Sequence, residues 1–112
     1  MTLEPTGISK AACNDLPESE GLYWAKTMLG HSGLSFGGKL SYPAYKYIPV
    51  TYLYCENDQV IPPAEQQKMI DHAKSVTEST VEVVSVPSGH MPMIKMPDEV
   101  VKVLRKAAGE SV

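Results

Sequence analysis

The sequence predicts an α/β chain organised around a parallel β–α–β unit. Segments 48–55 and 81–86 are rich in β-branched and aromatic residues with little clean alternation, the pattern of strands covered on both faces. Between them, from about Pro63, apolar residues recur at helical spacing, so a crossover helix separates the strands and leaves them parallel. Each strand runs into a polar turn bearing an acid–base residue: Glu56-Asn57-Asp58-Gln59 after the first, Pro87-Ser88-Gly89-His90 after the second. Parallel neighbours deliver their carboxyl ends to one edge of the sheet, where open α/β sheets place their ligands.

The elements follow in order. Residues 1–14 are polar, interrupted by Pro5 and Gly7, and are expected to be irregular. Asp15-Leu16-Pro17-Glu18 reads as a helix start, with a carboxylate at the cap and Glu three positions later. Leu22, Ala25, Met28 and Leu29 continue at helical spacing to Gly30, which is expected to end that helix. Residues 30–47 hold glycines, a proline and three tyrosines, and read as a loop with one helical turn around Pro43 to Tyr47.

The first strand comes next, then a helix from Pro63 whose buried side is Met69, Ile70 and Ala73. After the second strand and the His90 turn, Pro97-Asp98-Glu99 opens a last helix. Val100, Val103, Leu104 and Ala107 are expected to face inward, with Lys102, Arg105 and Lys106 near its end, where bases complement the helix dipole. Two segments result: 1–47, an N-terminal helix and loop, and 48–112, a β–α–β–α unit. Two parallel strands alone leave apolar edges unpaired, so self-association as a homodimer, or pairing with a complementary chain, is expected.

At 112 residues the chain is one domain at most. Its hydrophobic share of 43% and charged share of 21% are ordinary for a soluble globular protein. A net charge of −3 without a Lys/Arg stripe speaks against a nucleic-acid partner. Met1 to Lys10 lacks a basic region followed by an apolar run, and no stretch approaches membrane-spanning length, so a cytoplasmic location is expected, with no membrane contact. Cys13 and Cys55 fit no metal spacing and read as reduced thiols, Cys55 packed in a strand and inert. His31, His72 and His90 are scattered, so no metal and no organic cofactor are expected.

Asp58 and His90 are expected to meet as an orienting carboxylate and an imidazole base. The bland alternatives are a turn aspartate that bonds its own backbone and a loop histidine without a role. Joint placement after adjacent parallel strands favours the contact. Gly33-Leu34-Ser35-Phe36-Gly37 satisfies the G-x-S-x-G pattern, and Ser35, Asp58 and His90 stand in hydrolase order. That pattern has meaning only on a strand–turn–helix. Here 24–31 reads as helix, and Gly38 to Pro43 cannot start one, so Ser35 reads as part of a glycine-rich loop. Met91, Met93 and Met96 either line an apolar pocket or fill core; Tyr42, Tyr45 and Tyr47 either form a ligand platform or pack beneath a loop.

Tyr52-Leu53-Tyr54-Cys55-Glu56-Asn57-Asp58-Gln59-Val60-Ile61-Pro62 and Ser88-Gly89-His90-Met91-Pro92-Met93 together resemble the C-terminal part of an α/β-hydrolase. The resemblance is to the small-molecule branch of esterases and hydroxynitrile lyases, fungal secondary-metabolism members above all, and covers about residues 22–108. It implies a partial α/β-hydrolase fold, with Asp58 as triad acid and His90 as triad base. It also implies that residues 22–47 are the end of the cap and the return to the sheet. Met91 follows the histidine as in the esterases, where the lyases carry a lysine, which disfavours cyanohydrin cleavage. The family's serine elbow and oxyanion loop lie on earlier strands, which have no counterpart here; the chain resembles the last third to half of such an enzyme. The expected function is general acid–base chemistry by the Asp58–His90 pair on a small carbonyl or ester compound, as a cyclase, dehydratase, isomerase or hydrolase. The alternatives are a non-catalytic binding or scaffold fragment, and one half of a two-chain serine hydrolase.

Overall fold

Strands β1 (Val50–Cys55) and β2 (Val81–Val86) pair in parallel, in a register that sets Val50 opposite Val81 and Cys55 opposite Val86. A computed structural model describes residues 4–112, and the N-terminal readings that touch Met1 to Leu3 lie outside the described residues. Among the described residues the sheet has these two strands. The expected strands and their direction are therefore present, within a residue or two of the predicted bounds.

Around them stand α1 (Pro5–Ala12), α2 (Glu18–Thr27), α3 (Pro63–Val76), α4 (Pro92–Lys95) and α5 (Pro97–Ala107), with 3-10 turns at Gly33–Gly37 and Ala44–Lys46. The second turn is the one expected near Pro43 to Tyr47. Helix α3 is the crossover, opened by Pro63 at its first position, where the missing N–H costs nothing. Its buried residues are Gln66 and Ile70. Met69, expected inside, is 49% exposed; it flanks the buried Ile70 and keeps a contact to the sheet through its sulfur, 3.9 Å from Tyr52 Oη.

Three further expectations, all about the helices, are corrected. Residues 5–12 are helical rather than irregular: Pro5 sits at the helix start, where its fixed φ suits the first turn, and Ser9 and Ala12 are buried against α2. A Cβ at Gly21 of α2 would come within 2.6 Å of Ser9 Oγ and 3.3 Å of Cys13 Cβ, so glycine lets the two helices approach. Second, α2 begins at Glu18 with Pro17 at the cap, and Asp15 makes no cap bond; the helix stops at Thr27, leaving Leu29 in solvent. Third, α5 starts at Pro97 as expected, yet no residue of it is buried. Val100 and Val103 are half-covered, while Leu104 is 63% exposed and Ala107 lies in solvent. The apolar stripe is present; the surface that would cover it is not among the described residues.

Strand β1 is likewise half-buried from Val50 to Tyr54 instead of covered on both faces. Val50 N–H donates to Thr80 O and Glu56 N–H to Val86 O, so the even-numbered residues of β1 face β2. Strand alternation then turns the backbone of Thr51, Leu53 and Cys55 toward the outer edge. Among the described residues, that edge is closed at the buried tip of the strand, Cys55. Gln66 Nε2 donates to Cys55 O at 2.8 Å and its Oε1 accepts from Cys55 N–H at 2.9 Å.

Candidate active site

The two turns at the carboxyl end of the sheet are tied to each other before their side chains meet. Asn57 N–H donates to Ser88 O at 3.0 Å, joining the turn after β1 to the turn after β2. Within the first turn, Asp58 Oδ1 accepts from Val60 N–H at 2.8 Å and Ile61 N–H at 2.9 Å. This is the local bonding that suits aspartate to turns. Gln66 Nε2 also donates to Ile61 O at 2.9 Å, which anchors the far side of the turn to α3.

With Oδ1 fixed by the backbone, Oδ2 of Asp58 lies 2.9 Å from His90 Nδ1. The carboxylate is buried and the imidazole part-exposed, their side chains 6% and 29% exposed. The turn reading and the contact reading of Asp58 both hold, one on each oxygen. Burial pushes the Asp58 carboxyl up; the bond from His90, the N–H groups of Ile61 and Val60, and the positive charge His90 can carry outweigh it. The net result is a carboxyl held below its ordinary range. An ionised carboxylate only accepts hydrogen bonds, so this contact is made by the ring form that carries a proton on Nδ1.

His90 and Met91 form part of the wall of an apolar pocket of about 400 Å³, with Gly7 and Ile8 of α1, Met28 and Val60. Of the three methionines near the histidine, Met91 lines this pocket, whereas Met93 is 52% exposed. The pocket depends on α1, which the sequence did not reveal as a helix.

Ser35 is not brought to the pair. It lies in the exposed 3-10 turn Gly33–Gly37, its Oγ donating to Ser32 O at 2.7 Å and standing 2.9 Å from His31 Nε2. Among the described residues the element directly before it is helix α2 rather than a strand, and no α-helix starts directly after it, so the G-x-S-x-G match is not a strand–turn–helix elbow. His72 lies on the exposed side of α3, its Nε2 3.4 Å from Tyr45 Oη, while Tyr42 and Tyr47 stack at 5.5 Å with both rings largely exposed. Cys13 and Cys55 are free and buried. Burial raises both thiols, reinforced at Cys55 by the charges of Asp58 and Asp15 and at Cys13 by that of Asp15. Among the described residues no group of three His, Cys, Asp or Glu side chains could hold a metal ion, and no helix is long and apolar enough to cross a membrane.

The chain is 35% identical over 109 residues, 97% of its length, to a protein of Phoma sp. named probable hydrolase R7. It is 32% identical over 90 residues, 80% of its length, to alpha/beta hydrolase nvfD of Aspergillus novofumigatus. The chain is α/β-hydrolase-like, of a fungal kind. It spans 45% of the first relative and 34% of the second, so this α/β-hydrolase-like chain corresponds to under half of either protein. No protein-family model matches it.

Sequence reasoning missed one set of site residues, Asn14 and Asp15. Asp15 Oδ2 accepts from Gly89 N–H at 2.7 Å, and Asn14 Nδ2 donates to Asn57 O at 3.0 Å. Nothing local in the sequence signals bonds between residues so far apart along the chain.

Proposed function

We propose that Asp58 and His90 form a general acid–base pair acting on a small, largely apolar carbonyl or ester compound held in the pocket beside His90. The observation that carries this reading is the 2.9 Å contact between a buried carboxylate and an imidazole that also walls that pocket. Asp58 accepts a hydrogen bond from Nδ1–H and so orients the ring. Nε2 takes a proton from the substrate, and the imidazolium then returns it to another substrate atom. Such a group contributes typically ~10²–10⁴-fold in rate. That range suits enolisation, dehydration, isomerisation, aldol-type or cyclisation steps on reactive intermediates, as in secondary metabolism.

Hydrolysis of a stable ester needs more, namely a nucleophile and donors for the developing oxyanion. A second reading assigns those groups to residues outside 4–112, in a longer polypeptide or a separate chain, with this chain supplying acid and base. The partial coverage of both fungal relatives favours it, as does the outer edge of β1 at Thr51 and Leu53, which is placed to pair with another strand. A second copy of this chain is the other partner that edge would accept. The mass in solution separates the two: a dimer of identical chains supports self-association, and a monomer that takes up a serine-containing partner labelled by a fluorophosphonate supports the shared hydrolase.

The acid–base reading is tested by following deuterium exchange next to the carbonyl in a panel of small ketones and esters. His90→Ala is expected to lower the rate by about 10²–10⁴-fold, and Asp58→Asn to lower it in the same direction by releasing the tautomer. Equal rates in the parent and both variants would rule the mechanism out and leave a binding or scaffolding role.

A further inference from the structure

The turn between α1 and α2 reaches both loops of the candidate site from one side. Asp15 Oδ2 accepts from Gly89 N–H at 2.7 Å and from Ser88 Oγ at 3.4 Å. Lys95 Nζ donates to Asp15 O at 2.9 Å, fastening the same turn to α4. One residue earlier, Asn14 Nδ2 donates to Asn57 O at 3.0 Å. The two backbone groups grasped, at Asn57 and Gly89, belong to the residues immediately before Asp58 and His90. Ser88 and Gly89 are buried, Ser88 completely.

The fit leaves no room for drift. A Cβ at Gly89 would collide with Asn14 Oδ1 and lie 3.0 Å from Asp15 Oδ1. Among the described residues Asn14 Oδ1 is itself buried without a hydrogen-bond partner, a cost that persists because its amide nitrogen is committed to Asn57. A charged acceptor on a backbone N–H makes a shorter and stronger bond than a neutral one, so the Asp15–Gly89 contact is the firmest in the set.

We propose that Asp15 is a positioning residue for His90: its carboxylate holds the Gly89 peptide, and so the base of the His90 side chain, where Nδ1 meets Asp58. Asn14 does the same for the Asp58 loop, so that one turn of the N-terminal helix pair sets the separation of the two site residues. This inference rests on the acid–base reading for its catalytic consequence, and on the 2.9 Å contact alone for its structural one. Misplacement of a reacting group by about 1 Å can cost on the order of 10²-fold in rate, so a backbone anchor of this kind has leverage.

The competing account is that Asp15 merely docks the helix pair onto the sheet. The two differ at the His90 ring. Nitrogen-15 spectra of the imidazole report which ring nitrogen carries the proton, and amide exchange reports the Gly89 bond. Asp15→Ala is expected to speed Gly89 exchange and convert the single Nδ1–H tautomer into a mixture, whereas Asp15→Asn, which keeps an oxygen acceptor, restores most of the parent signal. Where Asp15→Ala fails to fold, Gly89→Ala serves, since its methyl crowds Asn14 and Asp15 and displaces the clasp without removing the Asp15 carboxylate from the chain; the same mixture is expected. A parent-like imidazole spectrum in a folded Asp15→Ala, or in Gly89→Ala, would overturn the proposal. Asp58→Asn is run alongside. Loss of the tautomer there without any change in turnover would refute the acid–base function while leaving the positioning claim intact, so the two failures are told apart.

Discussion

Gln66 closes both backbone groups of Cys55 on the outer edge of β1, its Nε2 on the carbonyl at 2.8 Å and its Oε1 on the N–H at 2.9 Å. The side chain reproduces, at one residue, the pairing that a neighbouring strand would give to the outer edge of β1. It is only 2% exposed, and its third bond, to Ile61 O, fixes the end of the turn that carries Asp58. A glutamine with all these bonds made is tolerable inside; an unpaired backbone group there is not.

Gln66→Leu, which matches the volume and deletes the bonds, is therefore expected to destabilise the chain by about 1–3 kcal/mol, the usual penalty for stranding buried polar groups. Urea unfolding followed by far-UV circular dichroism measures it. The same variant should loosen the Asp58 turn, read as faster amide exchange at Val60 and Ile61.

Asp58 links stability to pH. Its carboxyl sits below the ordinary range in the folded chain, because the bonds from His90, Ile61 and Val60 outweigh the opposing effect of burial. The fold thus prefers the ionised form. Its contribution is fully present above the unfolded carboxylate value and is lost as pH falls through the folded one. Stability measured from neutral to strongly acid pH should fall across that acid window, and the Asp58→Asn chain should show a shallower decline. A parallel decline in both chains would mean that other carboxylates dominate.

The two cysteines should be inert in the native chain. Both thiols are buried and both are raised by that burial, so little thiolate forms at neutral pH. Alkylation by iodoacetamide, counted by intact mass, is expected to be slow without denaturant and to reach both sites quickly in urea. Rapid native labelling of Cys55 would show that the end of β1 opens readily.

What the sequence disclosed, and what it withheld, divides along physical lines. Strand β2, the crossover helix α3 and the start of α5 announce themselves by composition, periodicity and proline placement, all of which are local. The helical state of 5–12 does not. It is a short segment carrying Pro5 and Gly7, and it is held by packing of Ser9 and Ala12 on α2 across the close approach at Gly21. Asp15 was legible as a cap because Glu18 follows it; its bond to Gly89, on a distant turn, wins instead. Leu104 shows a different limit: the pattern tells which face of a helix is apolar, not whether anything covers it. The meeting of Asp58 and His90 was accessible because strand direction alone puts both turns on one edge.

Gly7 offers a test of the pocket that leaves the rest of the site untouched. It lies inside α1 and lines the pocket beside His90, and among the described residues a Cβ built on it meets nothing within 4 Å beyond its own stretch of helix. Glycine inside a helix costs roughly 0.8–1.0 kcal/mol relative to alanine, so a larger residue is not penalised by the helix itself. Gly7→Leu should therefore keep or raise the unfolding midpoint while its side chain takes up part of the 400 Å³ space. An apolar fluorescent probe such as anilinonaphthalene sulfonate is expected to bind several-fold more weakly, and any turnover on apolar carbonyl compounds should drop through KM more than kcat. Unaltered probe binding in a folded Gly7→Leu chain would mean that the ligand lies elsewhere, and that the helix pair serves the loops alone.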